Sequence, residues 1–177
     1  MNNKIIAYID GANLHKATTR LGWMVDYKKL YTWLYEKYHT SEAYIFIGRV
    51  DKYQKLYSKM ENAGFTLIFK ETINDEYGQI KGNCDADLVL YSVRHVFEYY
   101  PNKVILISSD GDFSSLISFL KEKSIEITII SPNNRCSFLL RKLNVSILYL
   151  NTQKIFLKLS TQQQPIKEKA LDGDETP

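Results

Sequence analysis

Short runs of β-branched and aromatic residues recur along the chain: KIIAYID, EAYIFIGRV, TLIFKE, KVILISS, IEITIIS and VSILYL. Several are apolar on both faces, the pattern of strands buried in a parallel sheet rather than half-exposed ones. Between them lie segments with apolar residues at helical spacing: 26–38, 52–63 closed by Gly64, 83–100 stopped by Pro101, 112–123, and a short one over 135–143. Strands and helices alternating with short connections predict right-handed crossovers and helices on both sheet faces. The expected fold is α/β, with three layers (α/β/α) around a central, mostly parallel sheet of five or six strands.

Two stretches break the alternation. ETINDEYGQIKGN, residues 71–83, is polar and glycine-punctuated and predicts a long loop or a small hairpin before the central helix. After Leu159 the chain reads STQQQPIKEKALDGDETP, with no aromatic residue and no apolar period, and is expected to be a disordered polar tail. The domain is thus placed at 1–159 and the tail at 160–177. There is no internal repeat.

At 177 residues and 45% hydrophobic content the chain is long enough for one domain with a proper core. No apolar run reaches the 18 or so residues of a membrane span. The N-terminus MNNKIIAYIDGAN enters a strand pattern at once, without a basic region and an apolar signal core. The expectation is a cytoplasmic protein with no membrane partner. The two cysteines, Cys84 and Cys136, stand in no CxxC or Cys/His spacing, which predicts reduced thiols and no zinc site.

A net charge of +3 and a pI near 8.7 identify no partner by themselves. The distribution says more. Basic residues run through the body, among them Lys16, Arg20, Arg49, Lys52, Lys81, Arg135 and Arg141, while acids gather in three motifs. Asp10 ends the first strand in AYIDGAN, Asp85 and Asp87 open the central helix in KGNCDADLVL, and Asp110 and Asp112 follow the fourth strand in LISSDGDF. In an open parallel sheet, ligands bind beyond the carboxyl ends of the strands, and the topology can bring all three motifs to that edge.

Helix capping accounts for each acid taken singly, at roughly 0.5–2 kcal/mol. It does not account for the pair, because Asp110-Gly111-Asp112 supplies two carboxylates, with a glycine between them that permits tight turning. Converging carboxylates repel unless a cation lies among them, and hard divalent ions such as Mg2+ or Mn2+ suit oxygen ligands. The matching chemistry is metal-assisted phosphodiester hydrolysis. Covalent catalysis is disfavoured, since His15, His39 and His95 have no recognisable spacing to Ser108 or Ser109.

Three motifs together, YIDGANL at 8–14, KGNCDADLVL at 81–90 and LISSDGDFSSLISFLKEK at 106–123, resemble the NYN domain family, the LabA-like branch of the PIN-like nuclease superfamily. TIISPNNRCSFLLRKLNVSILYL at 128–150 is similar to the family's closing segment, so the resemblance covers about residues 4–150. It implies a Rossmann-like, PIN-like domain that binds Mg2+ or Mn2+ and cuts RNA.

By motif, Asp10 matches the first-strand metal ligand, Asn13 the polar residue after it, Asp85 the central-helix acid, and Asp110 and Asp112 the acids after the fourth strand. The resemblance gives Asp10 and Asp110 direct metal contacts, with Asp85 and Asp112 completing the site or positioning water. Lys81 matches the family's lysine before the central helix and is expected to touch a phosphate. Arg49, Lys52, Arg135 and Ser109 are the further expected RNA-binding residues, RNA is expected to be single-stranded, and a homodimer is carried as an expectation.

Two positions depart from the family pattern. Tyr91 stands where many relatives carry a further acid, and Ser109 stands where glycine is common. Asp87 shares a helix face with Tyr91 rather than with Asp85, which ranks it below Asp85. A catalytically weak module that binds RNA or a protein partner in a regulatory role is the alternative that Tyr91 keeps open. A phosphatase with an aspartyl nucleophile fits less well, because Asp10-Gly11-Ala12 lacks a second acid at the required spacing.

Overall fold

The structure, a computed structural model, describes residues 4–70, 73–74, 80–81 and 84–160. The first strand, β1 (Ile5–Asp10), leads into α1 (Gly11–Arg20) and α2 (Tyr27–Tyr38). Then come β2 (Glu42–Gly48), a 3-10 turn at Asp51–Tyr53, α3 (Gln54–Ala63) and β3 (Thr66–Lys70). A small antiparallel pair, β4 (Ile73–Asn74) and β5 (Ile80–Lys81), precedes the long α4 (Asp85–Tyr99). The second half contains β6 (Lys103–Ile107), a 3-10 turn at Gly111–Phe113, α5 (Ser114–Glu122) and β7 (Glu126–Ser131). It closes with α6 (Phe138–Arg141), β8 (Ser146–Tyr149) and α7 (Lys154–Leu157).

All six expected strands form one parallel sheet in the order β3-β2-β1-β6-β7-β8. Alternation along the strands divides the apolar residues between two cores. Ile5, Ala7 and Ile9 of β1 join Ile105 and Ile107 of β6 against Leu14, Leu30, Leu34, Tyr57 and Met60 of α1, α2 and α3. Ile6 and Tyr8 join Val104 and Leu106 against Leu88, Val96, Leu116, Ile117, Leu120 and Leu140 of α4, α5 and α6. Every residue of β1 is buried, as expected of a central strand covered on both faces. Each fully buried Leu or Ile contributes on the order of 1.5–3 kcal/mol by leaving water.

Local signals set the element ends. The Asp26 side chain accepts from the Lys28 and Lys29 backbone N–H groups to start α2, and α3 stops at Gly64 with φ 111°. The helices at 26–38, 52–63, 83–100 and 112–123 appear close to their expected bounds, while the one expected over 135–143 shrinks to the single turn of α6.

Two helices go beyond the periodicity. GANLHKATTR buries only Gly11, Leu14, Ala17 and Thr18, a stripe too small and too polar to stand out, yet it forms α1. Its start is fixed by Asp10 instead. α7 is a single turn, held where Val25 pairs with Lys158 across an isolated bridge. The polar stretch before α4 contains the hairpin of β4 and β5, and the tail from 161 on lies outside the described residues.

From β1 the chain builds outward through β2 to β3, then crosses back through α4 to β6 and builds outward the other way. The carboxyl ends of β1 and β6 therefore flank the point where the order reverses, and α1 and α5 leave toward opposite faces. A crevice at that point is the usual ligand position in such sheets. No helix among the described residues is long and apolar enough to cross a membrane.

Candidate metal centre

Ile9 pairs with Ile107 in the parallel ladder, so Asp10 and Ser108 leave the sheet side by side. The Asp10 carboxylate is 7% exposed. Its Oδ1 accepts from the Asn13 N–H at 2.9 Å, capping α1, and its Oδ2 accepts from the Ser108 hydroxyl at 3.2 Å. Ser108 Oγ in turn accepts from the Asp110 N–H at 3.1 Å. One buried hydroxyl thus ties the acid of one strand to the turn after the other. A second tie crosses the same crevice, because Asn13 Oδ1 accepts from both the Ser109 N–H, at 3.1 Å, and the Ser109 hydroxyl, at 2.9 Å.

The turn after β6 points its acids at α4. Asp110 caps it by accepting from the Asp112 N–H at 3.1 Å. Gly111 does not carry a positive φ, so the glycine is needed for close approach and not for turning. A Cβ there would lie 2.5 Å from Ser137 Oγ and 3.2 Å from Leu139 Cδ1. Asp85, in the first turn of α4, faces this turn from across the crevice. Asp85, Asp110 and Asp112 each offer a carboxylate oxygen within 4.8 Å of the others. The first two are half-buried and Asp112 is exposed.

Burial pushes the pKa of Asp10 up, and the charges of Asp85 and Asp110 push it further, against the Asn13 and Ser108 hydrogen bonds that hold it down. The neighbouring Cys84 thiol is pushed up to about 11, by burial first and then by Asp10, Asp87 and Asp85. Among the described residues no lysine or arginine pairs with Asp10, Asp110 or Asp112. A donor set of three converging carboxylates fits a hard divalent cation, and a thiol this reluctant to ionise does not compete as a ligand.

The structure thus brings together four of the expected acids, though in an arrangement of its own. Asp85, Asp110 and Asp112 share the space of one ion, while Asp10 is buried beside them with both oxygens hydrogen-bonded. Asp87 points elsewhere, to Lys70 Nζ at 3.1 Å. Asn13 and Ser109 hold each other across the crevice. Arg49 and Lys52 follow the carboxyl end of β2 and Arg135 follows that of β7, so all three lie at the same edge. Lys81 ends β5, and its side chain lies outside the described residues.

Ser108 is the residue that sequence reasoning passed over. Its signal was its position, the residue just past a central strand, beside the acid that ends the neighbouring one.

Tyr91 packs edge-on against Phe46 and His95, at 5.6 and 5.9 Å between ring centroids, with the Arg94 guanidinium 4.9 Å from its own centroid. It is half-buried and packs against the second core.

The NYN domain model matches residues 4–150, a span that includes every acid of the site. This chain belongs to the NYN domain family. NYN domains fall within the PIN-like nuclease superfamily, and the carboxylates sit at the carboxyl edge of this NYN domain's sheet. One similar protein is the Low amplitude and bright protein LabA of Synechococcus elongatus, 24% identical over 174 residues and covering 92% of each chain. A solved structure, that of a protein of unknown function, VPA0982, from Vibrio parahaemolyticus, overlays with a TM-score of 0.74 at 19% identity. The overlay covers 90% of this chain and 99% of that one, and shows the shared fold.

Proposed function

We propose that this NYN domain is a metal-dependent ribonuclease that hydrolyses RNA phosphodiester bonds with Mg2+ or Mn2+. The observation that carries the reading is the convergence of Asp85, Asp110 and Asp112 to within 4.8 Å, with buried Asp10 adding to their charge. Bound there, a divalent cation supplies Lewis-acid stabilisation of phosphate charge and a water acidic enough to attack near neutral pH.

The chain's own residues do the rest. Asp85, Asp110 and Asp112 provide the oxygen ligands, and Asp10 is oriented through Ser108 and Asn13 to complete their charge. The Asn13–Ser109 bonds tie the first turn of α1 to the turn after β6. Arg49, Lys52, Lys81 and Arg135 are assigned to RNA phosphates, which gives salt-dependent and largely sequence-independent affinity. Attack by water with the 3′-oxygen as leaving group would give 5′-phosphate and 3′-hydroxyl ends, which are the products expected here.

The test is cleavage of one defined RNA and the matching DNA with and without Mn2+, using wild-type protein and the Asp10→Asn and Asp110→Asn variants. Metal-dependent RNA cleavage lost in both variants, with both still folded, is the expected result. Unchanged cleavage in both rejects the site. RNA bound but never cut by the wild type favours the alternative of a catalytically weak regulatory module, which Tyr91, packed where relatives carry an acid, supports.

A further inference from the structure

The carboxyl edge of the sheet carries two exposed aromatic ledges, one on either side of the acids. On the β7 side, α6 abuts the acidic turn: the Ser137 N–H donates to the Ser109 carbonyl at 3.1 Å, and Leu139 crowds Gly111. The residue between them, Phe138, is 67% exposed, and the Arg141 guanidinium lies 5.8 Å from its ring centroid. Arg135 precedes it in the same loop.

On the β2 and β3 side, Tyr53 is 44% exposed and Phe69 38% exposed. Lys52 lies 5.1 Å from the Tyr53 ring and Arg49 5.8 Å from that of Phe69. This second ledge is held in place. The buried Tyr57 hydroxyl accepts from the Val50 N–H at 2.9 Å and donates to the Gly48 carbonyl at 3.1 Å, and its ring meets Phe69 edge-on at 4.9 Å.

A single exposed ring is ordinary on a protein surface, but here each exposed ring lies beside a guanidinium or ammonium, and both ledges stand at the edge that carries the acids. The strand order β3-β2-β1-β6-β7-β8 puts them on opposite flanks of the crevice between β1 and β6. Each pairs an apolar ring face with a fixed positive charge, the combination that stacks a base and neutralises its phosphate. A duplex hides its base faces; an unpaired strand does not.

We propose that Phe138 on one flank, and Phe69 with Tyr53 on the other, stack unpaired bases of a single nucleic-acid strand drawn across Asp85, Asp110 and Asp112. This deepens the ribonuclease reading by naming what selects single strands, and it rests on that reading for the position of the scissile bond but not for binding. The strand therefore spans the site and is gripped on both sides of it.

The test is fluorescence anisotropy with the full chain in EDTA, so that nothing is cut, using a labelled 12-mer RNA, the same sequence as DNA, and the RNA in a duplex. Single strands are expected to bind at least about tenfold tighter than the duplex, and Phe138→Ser and Phe69→Ser each to lose roughly tenfold, with Phe138→Tyr and Phe69→Tyr close to wild type. RNA and DNA binding alike places the RNA preference in the metal-bound step; RNA alone places it in the ledges, and both keep the proposal. Equal affinity for duplex and single strand overturns it. So do Ser variants that bind like wild type, or a Phe138→Ser variant whose only effect is to dissolve a dimer. Ring-dependent binding by a protein that never cuts removes the ribonuclease reading and keeps the ledges, whereas cleavage with indifferent rings does the reverse.

Discussion

Tyr8 and Asp10, two residues apart on β1, each belong to a polar cluster built against the sheet. Around Tyr8, the hydroxyl meets His95 Nδ1 at 3.0 Å, Tyr44 donates to Glu42, and Glu42 pairs with Lys4 at 2.7 Å. Lys4 also lies 3.6 Å from the Tyr99 ring centroid. Burial pushes the pKa of Glu42 up, but Lys4 and Tyr44 together pull it below its ordinary value, so the carboxylate is stabilised where it stands. Around Asp10 the balance is reversed: burial and neighbouring acids raise its pKa, and no lysine or arginine among the described residues pairs with it. The first cluster is complete within the chain. In the second, Asp10, Asp110 and Asp112 pair with no lysine or arginine among the described side chains, and that is the physical difference between a structural polar cluster and a candidate metal centre.

Removing one carboxylate from the acidic cluster should have the largest effect on activity and a small one of opposite sign on stability. Asp110→Asn is expected to lower Mn2+-dependent cleavage by more than about 100-fold, since even outer partners of metal ligands cost 10–100-fold. Its metal-free Tm should stay level or rise by roughly 2–4 °C, the shift that about 1 kcal/mol of relieved repulsion gives at this size. A falling Tm would mean that the acids stabilise the fold and would erase the contrast.

Ser108→Ala comes next, with roughly a 10–100-fold loss in metal affinity or cleavage, because its hydroxyl links Asp10 to the Asp110 N–H. Titration of Mn2+ against activity reads this directly. Full activity in the variant would show that the link is dispensable.

The aromatic cluster should respond in stability alone. Tyr8→Phe leaves His95 Nδ1 without its buried partner and is expected to cost about 1–3 kcal/mol in denaturant unfolding, with cleavage within about twofold of wild type. The smallest effect is on pH dependence. Burial, then Arg94, lowers the pKa of His95, so the folded state holds the neutral ring. Below an unfolded value of about 6.5 the unfolded chain takes up the proton first, and stability falls as the pH drops through the folded pKa. The Tm measured across that window should decline in wild type, and His95→Gln should flatten the slope.

How much of this was legible follows from what each feature depends on. The six strands were readable because apolar runs buried on both faces need no knowledge of partners, and Asp10, Asp85, Asp110 and Asp112 were readable because they sit at element ends. α1 was not, since Gly11, Ala12, Asn13 and two threonines leave little apolar stripe and the helix relies on its Asp10 cap and the sheet beneath it. Ser108 could not be singled out because its bond to Asp10 joins residues 98 apart, and Asn13 with Ser109 joins residues 96 apart. Tyr91 was visible as a departure, but only the fold shows its ring packed against Phe46 and His95.

The central claim is that the acids converge to hold a divalent cation, and calorimetric titration of Mn2+ into the full chain tests it without relying on any substrate. Wild type is expected to bind with a dissociation constant of about a millimolar or tighter, and Asp110→Asn at least about tenfold more weakly. No binding by wild type at several-fold higher metal, or the same isotherm in both proteins, would contradict the account.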